Sequence, residues 1–124
     1  MTNLVVITAG TGNPSSSRLL GERLADASVA ALRDAGVPAE VTHIELRMLA
    51  VDLANHLATR LPGAALREAF DAVCAADGVI TVTPVFNGSY SGLFKLFFDA
   101  LDEGAMKGRP VLLARPAAPP DTRW

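Results

Sequence analysis

At 124 residues the chain has room for one domain, with a core that removes roughly two-thirds of the unfolded surface from water. Half of its residues are apolar and 19% are charged, which excludes a disordered chain. Eleven Lys and Arg against thirteen Asp and Glu leave a net charge of −2, without the basic excess of a nucleic-acid grip.

The first element is Leu4 to Thr8, a continuous β-branched run of the kind buried on both faces of a parallel sheet. It lacks a basic lead-in and is too short for a signal peptide. A Gly/Ser/Pro-rich stretch, Ala9 to Ser17, leads into a helix whose Leu20, Leu24, Ala27, Ala31 and Ala35 fall on one face. Gly36 stops that helix and Pro38 bars its continuation. A second strand is expected over Glu40 to Leu46. Arg47 to Pro62 has no clear period and reads as a long connection holding a short helical turn.

Ala64 to Ala76 is a predicted helix with Leu66, Phe70, Val73 and Cys74 inward, and Gly78 to Thr83 a third buried strand. The uncharged stretch Gly78 to Phe94 is broken by Pro84, Asn87, Ser89, Tyr90 and Ser91, so no membrane span is expected. Ser91 to Leu101 forms a third long helix and Val111 to Ala114 a fourth strand. Strands alternating with helices imply a parallel sheet, right-handed crossovers and helices on both faces. Residues 115–124, with Pro116, Pro119 and Pro120, read as an irregular tail behind a domain covering residues 1–114.

The loop after the first strand, Thr8 to Arg18, occupies the position where open α/β sheets bind anions, against unpaired N–H groups of a helix start. Gly10-x-Gly12-x-x-Ser15 begins like a dinucleotide fingerprint but replaces its third Gly with Ser, and Glu45 near the end of strand two keeps that reading open. No Lys stands beside Ser17, which argues against a P-loop. The remaining reading is a hydroxyl cradle: Thr11, Ser15, Ser16 and Ser17 can donate to a terminal phosphate monoester, which FMN carries and NAD lacks. The alternative is that these serines only cap a helix.

The loop after the third strand, Thr83 to Gly92, is shaped by Pro84 and Gly88. N–H groups around Asn87 and Gly88 can face a planar ligand such as an isoalloxazine ring, with Phe86 and Tyr90 stacking on it or bordering it. The alternative is an ordinary loop capped by Ser91, with both aromatics in the core.

The first loop, the run Pro84-Val85-Phe86-Asn87-Gly88-Ser89-Tyr90-Ser91-Gly92-Leu93-Phe94-Lys95 and the following Asp99 together resemble the NADPH-dependent FMN reductases of flavodoxin-like fold. The resemblance spans roughly residues 4–114, and residues 84–95 are its most specific part. It implies a three-layer α/β/α domain with strand order 2-1-3-4. It also implies that Thr11, Ser15, Ser16, Ser17 and Arg18 hold the FMN phosphate region, while Pro84, Val85, Phe86, Asn87, Gly88 and Ser89 cradle the ring. The implied activity is hydride transfer from NADPH or NADH to FMN and on to a flavin or quinone acceptor. Flavin N5 carries the chemistry, so no side chain is assigned as a catalytic acid or base. A cytoplasmic homodimer or homotetramer is the implied assembly.

Family members continue past the fourth strand with a Gly/Thr-rich loop, a helix and a fifth strand, and residues 115–120 match none of this. The expectation is therefore a domain with the fifth strand missing and an exposed edge at strand four. Two other functions stay open: a flavodoxin-like electron carrier, and a non-catalytic fragment that binds flavin weakly or not at all.

Other residues carry blander readings. His43 and His56 lack neighbours at metal-ligand spacing, Asp102 and Glu103 diverge at a helix end, and Cys74 reads as core and no disulfide framework is possible. The helix around Leu93 to Phe98 is apolar on more than one face. That excess points to a subunit interface through Phe94, Phe97, Phe98 and Leu101, or else to a fully buried helix.

Overall fold

Five consecutive buried residues, Leu4 to Thr8, make β1 (Thr2–Thr8) an inner strand. It pairs in parallel with β2 (Ala39–Glu45) on one side and β3 (Gly78–Val82) on the other. β6 (Val111–Ala114) continues the sheet beyond β3, giving the order β2-β1-β3-β6. The fourth strand of the sheet is β6 because a hairpin of two-residue arms, β4 (Val85–Phe86) and β5 (Ser89–Tyr90), comes before it in the chain. The computed structural model describes residues 1–12 and 15–117. Within them the sheet has the expected order; of the tail, residues 115–117 form no regular element and residues 118–124 lie outside the description.

Helices cover both faces. α1 (Ser16–Asp34) packs over Val6, Ile80 and Val82. On the other face α2 (Ala50–Thr59), α3 (Ala64–Ala75) and α4 (Gly92–Ala100) close over Val5, Ile7 and Val79, with Leu46, Leu53, Leu66, Val73 and Phe97 between them. Arg47 to Pro62, expected as a connection with one helical turn, contains a 3-10 turn (Leu46–Leu49) and then all ten residues of α2. Leu46, Leu49 and Leu53 are the buried anchors of that segment, and their three-and-four spacing alternates with exposed Met48 and Val51.

The inward face of α1 is shifted from the expected one. Ser17, Gly21 and Ala25 are buried, Leu20 and Leu24 keep a half-buried place at their border, and Ala27, Ala31 and Ala35 do not belong to it. Small residues face the sheet because the helix lies very close to it. A Cβ on Gly21 would stand 2.9 Å from Thr8 Cγ2 and 3.0 Å from Val6 Cγ1. The helix ends as expected: Gly36 takes φ 80° and the Val37 N–H donates back to the Leu32 carbonyl at 2.8 Å, a Schellman closure.

Two further expectations are corrected by helix phase. In α3 the buried stripe is Leu66, Ala69 and Val73 with Phe70 at its border, so Cys74, one residue past Val73, turns outward and is exposed. In α4 Phe97 is fully buried and touches Phe70 and Phe98, which places it in the core and not at a subunit interface. Phe94, Phe98 and Leu101 are half-buried against the same core. His43 is exposed, and His56 packs edge-on against Phe70. No helix among the described residues is long and apolar enough to cross a membrane.

Gly21→Val should lower stability by about 1–3 kcal/mol, the usual effect of forcing methyl groups into a filled interface. Gly21→Ala should change it less, since about 1 kcal/mol of helix propensity offsets the crowding. Urea midpoints of the two variants check both.

Candidate cofactor site

Parallel registry brings the carboxyl ends of the strands level: Thr8 lies opposite Glu45 and Val82, and Val82 opposite Ala114. The loops that leave β1 and β3 therefore start side by side at one rim of the sheet, where ligands of open α/β sheets bind.

The first loop closes tightly on the start of α1. Gly10 is buried, and a Cβ there would fall 2.2 Å from Ser15 Oγ and 3.1 Å from Ser17 Oγ, so glycine alone leaves room for these hydroxyls. Ser15 is the N-cap, its Oγ accepting from the Arg18 N–H at 3.2 Å, and its own hydrogen remains available to an anion. Ser17 is 1% exposed and faces the Gly10 turn, whereas Thr11 and Ser16 are open to solvent. No acidic residue sits in the first turn of the nineteen-residue helix, whose dipole there favours negative charge.

Arg18 is engaged beside this cradle. Its Nε meets Glu22 Oε1 at 2.8 Å and its Nη1 meets Glu45 Oε2 at 3.1 Å, joining α1 to the end of β2. Glu45, which kept a dinucleotide reading open, is thus occupied by Arg18 and, at 3.8 Å, by Arg47. Among the described residues, the buried Arg47 Nε has no hydrogen-bond partner.

The third loop is a tight hairpin. Val85 pairs with Tyr90 and Phe86 with Ser89, and the two residues between take φ 50° (Asn87) and 76° (Gly88). Positive φ at both central positions is the turn that matches the twist of paired strands, and Asn-Gly is its preferred sequence. Pro84 and Val85 are half-buried, and residues 86–90 are exposed. Phe86 (48% exposed) and Tyr90 (47% exposed) are not core residues, and Tyr90 leans on Phe94 with ring centroids 5.7 Å apart. Farther along α4, Lys95 pairs with Asp99, a hydrogen bond that raises the pKa of the exposed ammonium above its ordinary value.

Ser91, expected only as a helix cap, and Thr83, which carried no expected role, join the loops. Ser91 caps α4 by accepting from the Phe94 N–H at 3.1 Å, and its hydroxyl donates to the Ala9 carbonyl at 3.3 Å. Its backbone N–H donates to Thr83 Oγ1 at 3.0 Å, and Thr83 donates to the Pro84 carbonyl at 2.9 Å. The Ser-Gly-Leu-Phe pattern carries the cap signal. Nothing local signals the bond to Ala9, which spans 82 residues.

The site thus offers a glycine-floored hydroxyl cup at a helix start and, alongside, a rigid turn with an exposed aromatic. A phosphate monoester suits the first part and a flat polar ring the second, which is the division of FMN.

Comparisons with known proteins agree with that chemistry. Residues 2–119 match the family profile of the NADPH-dependent FMN reductases. An FMN reductase (NADPH) from Pseudomonas aeruginosa is 35% identical over 111 residues, covering 90% of this chain and 57% of the relative. Among solved structures, an oxidoreductase from Corynebacterium diphtheriae superposes with a TM-score of 0.92 at 42% identity, over 94% of this chain and 64% of the other. An apo NADH:FMN oxidoreductase, EMOB, gives 0.74 at 32% identity, over 94% of this chain and 60% of the other. The chain therefore spans somewhat more than half the length of these relatives.

Gly88→Ala should destabilise the protein by about 1–2 kcal/mol, because a Cβ in the left-handed region meets the following carbonyl. Asn87→Ala should do the same to a similar or lesser degree, and thermal melts of the two variants check this.

Proposed function

The chain belongs to the NADPH-dependent FMN reductase family, and from this we propose that it binds FMN across the two tied loops and serves nicotinamide-dependent reduction of a flavin or quinone. The observation that carries the reading is the Gly10 cup set beside the Asn87-Gly88 turn at one rim of the sheet.

In this reading Thr11, Ser15 and Ser16 donate to the phosphate together with free N–H groups at the start of α1. Ser17 holds the Gly10 turn from below. Arg18 adds positive charge beside the cup while anchored to Glu22 and Glu45. Pro84, Val85, Asn87, Gly88 and Ser89 border the ring through their backbone, with Phe86 against it. Held by these residues, FMN would supply the two-electron chemistry between NADPH or NADH and the acceptor. The protein's part is to fix the ring's orientation and to leave one face open; no side chain serves as acid or base.

Assembly as a homodimer or homotetramer belongs to the same proposal. Exposed Met48, Val51 and Leu57, and Val111, Leu112 and Leu113 on the edge strand β6, are among the apolar side chains available to it, and light scattering tests it. A cytoplasmic location, where NADPH and NADH are at hand, completes it.

The test is a visible spectrum after incubation with FMN and desalting. A retained flavin band that bleaches anaerobically with NADPH or NADH is expected. A retained band that neither nicotinamide bleaches would identify an electron carrier, and a colourless protein would overturn the reading. Ser16→Ala should weaken FMN binding by about tenfold or more, since a hydrogen bond to a charged group contributes about 1.5–3 kcal/mol. Riboflavin affinity and the melting temperature should stay unchanged.

A further inference from the structure

We infer that Ser91, with Thr83, is a positioning residue. Its hydroxyl fixes the spacing between the first loop and the hairpin, and so decides whether one FMN molecule reaches both subsites at once. The inference rests on the reading of these loops as an FMN site.

Thr83 and Ser91 are the two feet of the hairpin, one immediately before Pro84 and one immediately after Tyr90. They are 6% and 2% exposed. The Ser91 N–H to Thr83 Oγ1 bond joins the feet to each other. Each hydroxyl then commits its single hydrogen to a carbonyl: Thr83 to Pro84 at the hairpin entrance, Ser91 to Ala9 at the start of the first loop. Ala9 is fully buried, and its N–H donates to the Val82 carbonyl at 2.9 Å. Ala9 precedes Gly10, the floor of the phosphate cup.

Helix capping alone does not account for this arrangement. A cap needs only an acceptor oxygen, which Asp supplies as well as Ser. What Ser91 adds is a donor aimed at the Ala9 carbonyl, where a carboxylate would be repelled.

A ligand that engages two subsites gains from the second contact only if their spacing matches its own, because that contact is then effectively intramolecular. FMN has a phosphate and a ring to place, whereas riboflavin has the ring alone. Loosening the tie between the loops should therefore cost FMN its advantage and leave riboflavin nearly untouched. A general loss of folded protein would weaken both ligands together.

The experiment is fluorescence titration of FMN and of riboflavin with wild type, Ser91→Ala, Ser91→Thr and Thr83→Val, with far-UV circular dichroism confirming the fold. Wild type should prefer FMN. Ser91→Ala should lose about tenfold in FMN affinity while riboflavin affinity stays within about twofold, and Ser91→Thr, which keeps the hydroxyl, should restore most of the loss. Thr83→Val, nearly isosteric, should shift the FMN-to-riboflavin ratio in the same direction, and it decides the matter if Ser91→Ala does not fold. Unchanged FMN affinity, or equal losses for both ligands, would overturn the positioning role while leaving the site reading intact. A wild type that binds neither ligand, or binds both equally, would overturn the site reading and this inference with it.

Discussion

Ala9 is fully buried, and both polar groups of its backbone are satisfied by the neighbouring β3 and the segment that follows it: the N–H by Val82 and the carbonyl by Ser91. Leaving either group unpaired away from water costs about 1–3 kcal/mol, so the chain cannot bury the end of β1 without bringing the residues after β3 against it. One requirement of hydrogen-bond satisfaction thus determines where the loops that leave β1 and β3 meet. The same logic continues one strand further, where the Thr83 N–H donates to the Ala114 carbonyl at 3.2 Å.

Close approach is the second constraint, and two glycines meet it. Gly21 lets α1 settle onto Val6 and Thr8, and Gly10 lets the preceding turn fold over Ser15 and Ser17. The two are linked, because a helix pushed off the sheet at Gly21 would lift its own N-terminus from the cup. Arg18 secures the outer side of the same helix start through Glu22 and Glu45, and each of these ion-paired side chains is only partly exposed. The start of α1 is thus fixed from the sheet by packing and from β2 by charge.

The parts of this architecture that were legible in the sequence are those governed by local chemistry. Strands buried on both faces declare themselves as β-branched runs, Gly36 stops a helix, Asn87-Gly88 makes a hairpin turn, and the observed elements follow. Strand order came from the family resemblance, since periodicity says nothing about which strands are neighbours. The errors about which side chains face inward are errors of helix packing and phase. A helix that packs at ordinary distance buries its leucines, but α1 packs too closely for that and buries Ser17, Gly21 and Ala25 instead. Cys74 and Phe97 turn on a 100° step of helix phase, which apolar composition cannot resolve. In the site, the cup and the turn were both visible as motifs. The bonds that couple them were not, because Ser91 and Ala9 are joined only by the folded sheet.

That separation in sequence is also a separation in time during synthesis. β1 emerges before β2 and can pair with it once residue 45 is out, but β1 gains its second neighbour only when β3 follows. At roughly 5–20 residues per second, the 82 residues between Ala9 and Ser91 take several seconds to appear. Throughout that interval the nascent chain holds a glycine-rich loop and a helix start with no opposing hairpin. A molecule that touches both loops therefore cannot do so until the hairpin after β3 has emerged and folded against the earlier loop.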